Sequence, residues 1–355
     1  MGLEELRKEI DALDDQLLTI LNKRMEVVKR VGELKRTKNA IIYRPEREKM
    51  IIDRLSKTNP GLLNKAAIEA IFMEIFAISR NIELPEKIAY LGPEGSFTHQ
   101  AAETRFGAMS DYLPLSSIQA VFDSVDSRRC RFGVVPIENN QEGVVSETID
   151  ALGNYDLKIV AEVPISISFV FATLIENVSQ VKRIYSKDIA FKQCKKFIED
   201  TFINHKIELI PVNSTSQAVE KALQDKEGAA ICSNIAAKLK KLPVLFDAVE
   251  DSPDNFTRFL IVSKDFTNQK SGKDKTSVLA KTADKPGSLA VLLQDFYDAK
   301  INLTKIESRP AKVGKNFKYW FFIDFEGHFE DDNVVNVIKK HEKDIKWLGS
   351  YIKLC

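Results

Sequence analysis

Leu3, Leu6, Ile10, Leu13, Leu17, Ile20, Val27, Val31 and Leu34 recur at spacings dominated by threes and fours, with no proline between Leu3 and Lys38. That pattern predicts one long amphipathic helix. At about 1.5 Å per residue it runs roughly 50 Å, longer than the stretch before Pro85 can cover by itself. Its apolar seam therefore predicts a partner chain: a homodimer, with a tetramer left open. Position 24 falls between Ile20 and Val27, where the seam calls for an apolar residue, yet it is Arg24. Arg7 and Lys35 flank the same seam, and Arg47 and Glu48 open a second helix expected from Pro45 to about Lys57. After the turn Asn59-Pro60-Gly61, a third helix is expected from Leu62 to Leu84. Burying several cations without partners costs several kcal/mol each, so the pattern fits a small polycarboxylate held between helices. A snorkelling or register-setting arginine gives the same spacing, and periodicity does not separate the two.

The 355 residues predict two or three domains of about 150 each. With 52 Lys plus Arg against 51 Asp plus Glu, the net charge of +1 gives no global field for nucleic acid or an anionic membrane. Any anion must be met by local clusters. The polar start and the lack of an 18-residue apolar run predict a cytoplasmic protein without secretion signal or membrane span. Cys130, Cys194, Cys232 and Cys355 have no metal-ligand or pairing pattern and read as ordinary thiols. No metal and no cofactor is expected.

Beyond Pro85, β-rich runs such as Ile88 to Leu91, Phe132 to Pro136 and Phe259 to Val262 alternate with helical stretches. This predicts an α/β domain over residues 87–267 with a largely parallel sheet. Residues 268–274 read as a polar linker, and residues 275–355 as a βαββαβ unit. His328 and His341 are lone histidines expected at the surface. In "YLGPEGSFTHQAA" (Tyr90 to Ala102), "GVVPIENNQEGVVSETID" (Gly133 to Asp150) and "DNFTRFLIV" (Asp254 to Val262), small or polar residues adjoin an apolar strand. Open α/β sheets bind ligands at such places. Gly92, Gly95, Ser96 and Thr98 precede a helix and offer N–H groups to a carboxylate.

The first region, through "LRKEIDALDDQLLTILNKRMEVVKRVGELK", "IYRPERE" and "IFMEIFAISRNIE", resembles the all-helical chorismate mutase family. The resemblance implies an interlocked dimer in which Arg7 reaches the partner's site and Arg24 and Arg47 hold substrate carboxylates. It also implies that Lys35 donates to the ether oxygen and Glu48 binds the ring hydroxyl, with Ser79 and Glu83 contributed by the third helix. A pericyclic rearrangement needs only a dianion held in a reactive chair and donors aimed at the breaking C–O bond. Two positions depart from relatives: Arg44 stands where some carry Asp, and Glu83 where many carry Gln. A Glu donates to the ether oxygen only while protonated, which predicts mutase activity falling as pH rises.

Residues 87–266 resemble prephenate dehydratase, a family with two lobes of the periplasmic-binding-protein type around a cleft. The resemblance makes Thr257 the essential hydroxyl, working with Glu138 and Asn139. Arg258 is read either as a carboxylate ligand or as part of an internal ion pair. Asn140-Gln141 departs from the small hydroxylated pair of relatives, and "SKDIAFKQC" (Ser186 to Cys194) lacks their His-Pro. The final region, through "DKPGSLA" and "INLTKIESRP", resembles the ACT domain of phenylalanine-sensitive dehydratases. That implies an L-phenylalanine site at Gly287, Ser288 and Leu289 together with Glu307, Ser308 and Arg309.

Together these resemblances point to the bifunctional chorismate mutase/prephenate dehydratase family (P-proteins) with a C-terminal ACT domain. Such an enzyme turns chorismate into prephenate and prephenate into phenylpyruvate under feedback by phenylalanine. Two other readings stay open on sequence: a mutase with a degenerate middle domain, and a non-catalytic amino-acid sensor.

Overall fold

The computed structural model describes residues 2–37, 45–83, 87–203, 206–283, 285–311 and 318–354. Lys38, Arg44, Pro85, Asp284 and Cys355 lie outside the described residues. The chain forms two compact units, Met1–Glu86 with Phe106–Asp111 and Lys87–Arg105 with Tyr112–Cys355.

Three helices build the first unit: α1 (Leu3–Thr37), α2 (Pro45–Thr58) and α3 (Lys65–Glu83). Asn59 closes the turn after α2 by accepting from the Gly61 N–H at 3.2 Å. Asn64 accepts from the Ala67 N–H at 2.8 Å, which caps α3 and explains why it starts later than Leu62. Leu21, Arg24, Met25, Val28, Gly32 and Lys35 make up the covered side of α1, and Arg24 and Lys35 reach α3 from it. Gly32 is the point of closest approach, because a Cβ there would stand 2.9 Å from Glu83 Cα. The apolar seam lies elsewhere: Leu3 is 65% exposed, Leu13 56% and Ile20 63%. Arg24 thus turns toward α3 and is not enclosed in the seam.

The second unit opens with one lobe: β1 (Lys87–Leu91), α4 (Phe97–Phe106), β2 (Asp111–Leu115), α5 (Ile118–Asp126), β3 (Phe132–Asn139), β4 (Gly143–Val144), α6 (Ser146–Asn154) and β5 (Lys158–Ser166). The other lobe holds β6 (Phe169–Thr173), β7 (Arg183–Ser186), α7 (Asp188–Gln193), α8 (Lys195–Thr201), β8 (Glu208–Pro211), α9 (Thr215–Gln224), β9 (Gly228–Ser233), α10 (Asn234–Lys240) and β10 (Val244–Phe246). β11 (Phe256–Ser263) then returns to the first sheet, whose order is β2-β1-β3-β11-β5, while the second runs β10-β6-β9-β7-β8. Neither sheet is largely parallel. β11 lies antiparallel to both β3 and β5, and β6 antiparallel to β9, because the chain changes lobe twice and re-enters from the far end.

The remaining elements are β12 (Asp274–Lys281), α11 (Ser288–Asp298), β13 (Leu303–Ala311), β14 (Lys318–Glu326), α12 (Asp332–Lys340) and β15 (Ile345–Ile352), the expected βαββαβ order in a sheet β13-β14-β12-β15. One face of this sheet, with Val278, Ile323 and Phe325, packs on its own helices. From the other face Leu279, Phe322, Leu348 and Tyr351 enter one core with Ile149, Leu152, Ile159 and Leu260 of the first lobe. At Gly349 the backbones approach so closely that a Cβ would stand 2.1 Å from the Ile159 carbonyl oxygen. Residues 268–274 are no loose linker: Asn268 is buried and donates to the carbonyls of Val160 and Ser350, both at 2.8 Å. His328, expected at the surface, is 1% exposed, its Nε2 lying 3.2 Å from the Asn268 carbonyl. His341 is half-buried against Asp295 at 2.7 Å.

Candidate active sites

In the helical unit, Arg24 donates to Ser79 Oγ at 2.6 Å, and Ser79 in turn donates to the Ile75 carbonyl. Eleven residues further along α1, about three turns, Lys35 Nζ lies 2.7 Å from Glu83 Oε2. Burial lowers the pKa of Arg24, and the charge of Glu83 partly restores it. Ser79 and Glu83, four apart on α3, thus meet Arg24 and Lys35 along one groove. Glu48 is turned into an ion pair with Arg80, a nearly buried residue that the sequence reading passed over. Arg47 is exposed on α2. Arg7 is 62% exposed and pairs with its own neighbour Glu4 at 2.8 Å. The fold therefore gathers Arg24, Lys35, Ser79 and Glu83, while Arg7 stays on the uncovered half of α1.

In the two-lobed region Thr257 lies at the start of β11, just after the chain has crossed back, and the two crossing segments are tied by the Ile167 N–H to the Asn255 carbonyl at 2.7 Å. Thr257 sits opposite Asn139 of β3. The two N–H groups of Asn139 go to Thr257 Oγ1 at 2.9 Å and Asn255 Oδ1 at 2.8 Å, and its carbonyl oxygen accepts from the N–H groups of Gln141 and Glu142, both at 2.9 Å. All four positions of the amide are used, which fixes its orientation. Thr257 is consequently an acceptor in this bond, leaving its own proton out of it. Asn140 holds the same strand start by accepting from the Phe256 N–H at 2.9 Å. Gln141 accepts from Gln193 of the other lobe at 3.4 Å. Asn255 was not singled out by the sequence, and Asn140 was singled out only as a departure from relatives. Their signal is the asparagine at each end of the paired strands.

Glu138 and Arg258, the residues next to this pair, face the other way, as neighbours on a strand must. Arg258 is 7% exposed and lies among Glu138 at 3.0 Å, Glu162 at 2.8 Å and Asp324 at 2.7 Å, with Tyr351 Oη at 2.9 Å. Lys275 holds Glu162 at 2.8 Å, and Lys305 pairs with Glu138. Of the two sequence readings of Arg258, the geometry is that of the internal ion pair, with partners 66 and 93 residues away in the βαββαβ unit. Glu138 is likewise separated from the hydroxyl it was expected to serve. Despite burial, the pKa values of Glu138 and Glu162 are lowered by the cations around them.

The Gly-rich turn is built from Gly92, Gly95, Ser96 and Thr98. Ser96 caps α4 through the His99 N–H at 3.2 Å, and Ser233 of the second lobe donates to the Gly95 carbonyl at 2.6 Å. In the βαββαβ unit, Gly287 is the exposed N-cap of α11 with Ser288 and Leu289 half-buried behind it. Glu307 and Arg309 are half-buried on β13, Ser308 between them is exposed, and Arg309 reaches Asp150 of α6 at 3.3 Å.

Residues 6–84 match the chorismate mutase type II family, residues 88–267 prephenate dehydratase and residues 276–343 the ACT domain. The chain is 40% identical over 358 residues to the bifunctional chorismate mutase/prephenate dehydratase of Aquifex aeolicus (strain VF5), covering 99% of this chain and 98% of that protein. Identity to the protein of the same description from Pseudomonas aeruginosa is 36%, with the same coverage. Among solved structures, prephenate dehydratase from Arthrobacter aurescens in complex with L-Phe is similar at a TM-score of 0.68 and 31% identity, over 75% of this chain and 90% of that one.

Proposed function

Since this chain belongs to the bifunctional chorismate mutase/prephenate dehydratase family, we propose how its residues divide the two reactions and their control. In the helical unit Arg24 and Arg47 bind the carboxylates of chorismate, Ser79 orients Arg24, and Lys35 donates to the ether oxygen as its C–O bond lengthens. Glu83, expected from the sequence as a donor to the ether oxygen, instead accepts from Lys35 at 2.7 Å and holds it in place, and Glu48, released from Arg80, meets the ring hydroxyl. Arg7 completes the site of a second copy. Support for that homodimer comes from the bare apolar seam of α1, which one chain leaves to solvent.

The dehydratase reading is carried by the Asn139–Thr257 hydrogen bond. With Asn139 donating to its oxygen, the Thr257 hydroxyl is left to hydrogen-bond the departing ring hydroxyl of prephenate and relay a proton to it from water, so that the threonine ends as a hydroxyl. One proton enters, the C–OH and ring carboxylate C–C bonds break, and water, carbon dioxide and phenylpyruvate leave. Aromatisation supplies the driving force. L-Phenylalanine, the ligand of the Arthrobacter aurescens structure, binds near Gly287, Ser288 and Leu289 with Glu307, Ser308 and Arg309. No described helix is long and apolar enough to cross a membrane, in keeping with a cytoplasmic enzyme. The test is Thr257→Ala in the full-length chain. Phenylpyruvate formation falls about 10²- to 10⁴-fold while chorismate consumption is unchanged; equal loss of both, or of neither, refutes the assignment.

A further inference from the structure

β3 and β11 carry two different machines on their two faces. On one face Asn139 and Thr257 form the dehydratase pair, and on the other Glu138 and Arg258 enter the ion network. Each residue of one pair is bonded through the backbone to a residue of the other, so a shift of Glu138 moves Asn139 with it. A register shift directly after Arg258 gives this ladder room to adjust.

The members of the network are not equally movable. Arg258, Glu162, Asp324 and Lys275 have side chains 7%, 0%, 1% and 4% exposed. Opening pairs so deeply buried leaves uncompensated charge. Lys305 and Glu138 are 18% and 27% exposed, so water can replace each as the other's partner. Lys305 also stands on β13, beside a register shift after Leu303 and on the same strand as Glu307 and Arg309.

We propose that Lys305, acting through Glu138, is the positioning residue by which the third domain sets the Asn139–Thr257 pair. An effector lodged against β13 then alters prephenate turnover by loosening this one ion pair while the buried remainder of the network stays closed. This rests on the phenylalanine reading given above and adds the residue that transmits the effect.

The experiment uses the full-length enzyme and its Lys305→Met, Lys305→Gln and Lys305→Arg variants. Dehydratase kinetics are measured with prephenate at increasing L-phenylalanine, and phenylalanine binding by calorimetry with and without prephenate. In the wild type, bound phenylalanine raises the prephenate KM, by the roughly 5- to 150-fold span usual for coupled sites. In Lys305→Met and Lys305→Gln, which lack the ion pair from the start, the prephenate KM without phenylalanine already stands near the wild type's phenylalanine-bound value, kcat stays within about threefold, phenylalanine still binds, and the KM ratio falls toward one. By linkage, prephenate then ceases to affect phenylalanine affinity, and Lys305→Arg restores both effects. Full inhibition in the Met and Gln variants with phenylalanine bound overturns the proposal. Loss of phenylalanine binding in them also overturns it, because Lys305 would then belong to the effector site. A wild-type KM in the uninhibited Met and Gln variants overturns it too, and so does a collapse of their kcat, which would make Lys305 a support of the active pair alone. If the wild type binds no phenylalanine, the underlying reading itself fails.

Discussion

Replacing Arg258 by Met separates the two roles that this arginine could hold. Three carboxylates, those of Glu138, Glu162 and Asp324, face three cations, Arg258, Lys275 and Lys305. Methionine fills much of the volume but leaves three negative charges against two positive ones. Lys275 continues to hold Glu162 and Lys305 to hold Glu138, whereas Asp324, 1% exposed, keeps the Ser277 hydroxyl at 2.5 Å. Removing one partner from a buried ion pair costs about 3–5 kcal/mol. At about 2–4 °C per kcal/mol for a domain of this size, unfolding of the second unit moves down by roughly 6–20 °C. Differential scanning calorimetry of the full-length variant reads this shift directly, and kinetics well below the transition read the site. The expected kinetic result is a loss of dehydratase kcat/KM no greater than the one phenylalanine produces through the same network, because Arg258 faces away from Thr257 and acts on it through the backbone. A hundredfold rise in KM with the transition moved by less than about 2 °C would mean that the guanidinium binds substrate, and the network argument would be wrong.

Further outcomes follow from other parts of the molecule. Gly32→Ala puts a Cβ against Glu83 Cα, and the resulting crowding of α1 and α3 costs about 1–3 kcal/mol; mutase turnover drops while dehydratase turnover, measured in parallel, does not. The pKa values of Glu138 and Glu162 are lower in the folded chain than the ordinary 4.5, so their contribution to stability is complete above that value. It is lost as pH falls through the folded values, so the transition temperature stays level at neutral pH and drops on the acid side, with a shallower drop in Glu162→Gln. Mixing inactive Arg7→Ala and Lys35→Ala subunits through unfolding and refolding restores about a quarter of the wild-type mutase rate if each site draws on two chains. No restoration would place the whole mutase site within one chain.

The three-region division and the elements of the βαββαβ unit were legible because each rests on local periodicity. Strand order was not, since β11 pairs with β3 and β5 only after the chain has visited the other lobe. β2 was passed over because Pro114 interrupts it, which the sheet tolerates at its edge. The site divides on the same principle. Thr257 and Asn139 stood out in their motifs. The role of Arg258 stayed open because its decisive partners, Asp324 and Tyr351, come from another region. Arg80 carries no signal of its own in the sequence, because Glu48, its ion-pair partner, belongs to a separate helix. Residues 268–274 look polar and loose in sequence because nothing local reveals that Asn268 stitches β5 to β15.

The common core of the first lobe and the βαββαβ sheet makes sensing and chemistry parts of one cooperative folding unit. A ligand that tightens the C-terminal sheet should slow amide exchange in β3, β5 and β11 as well as in its own strands, with no bound molecule touching them. The protein would then register its effector as a change in the rigidity of the catalytic scaffold.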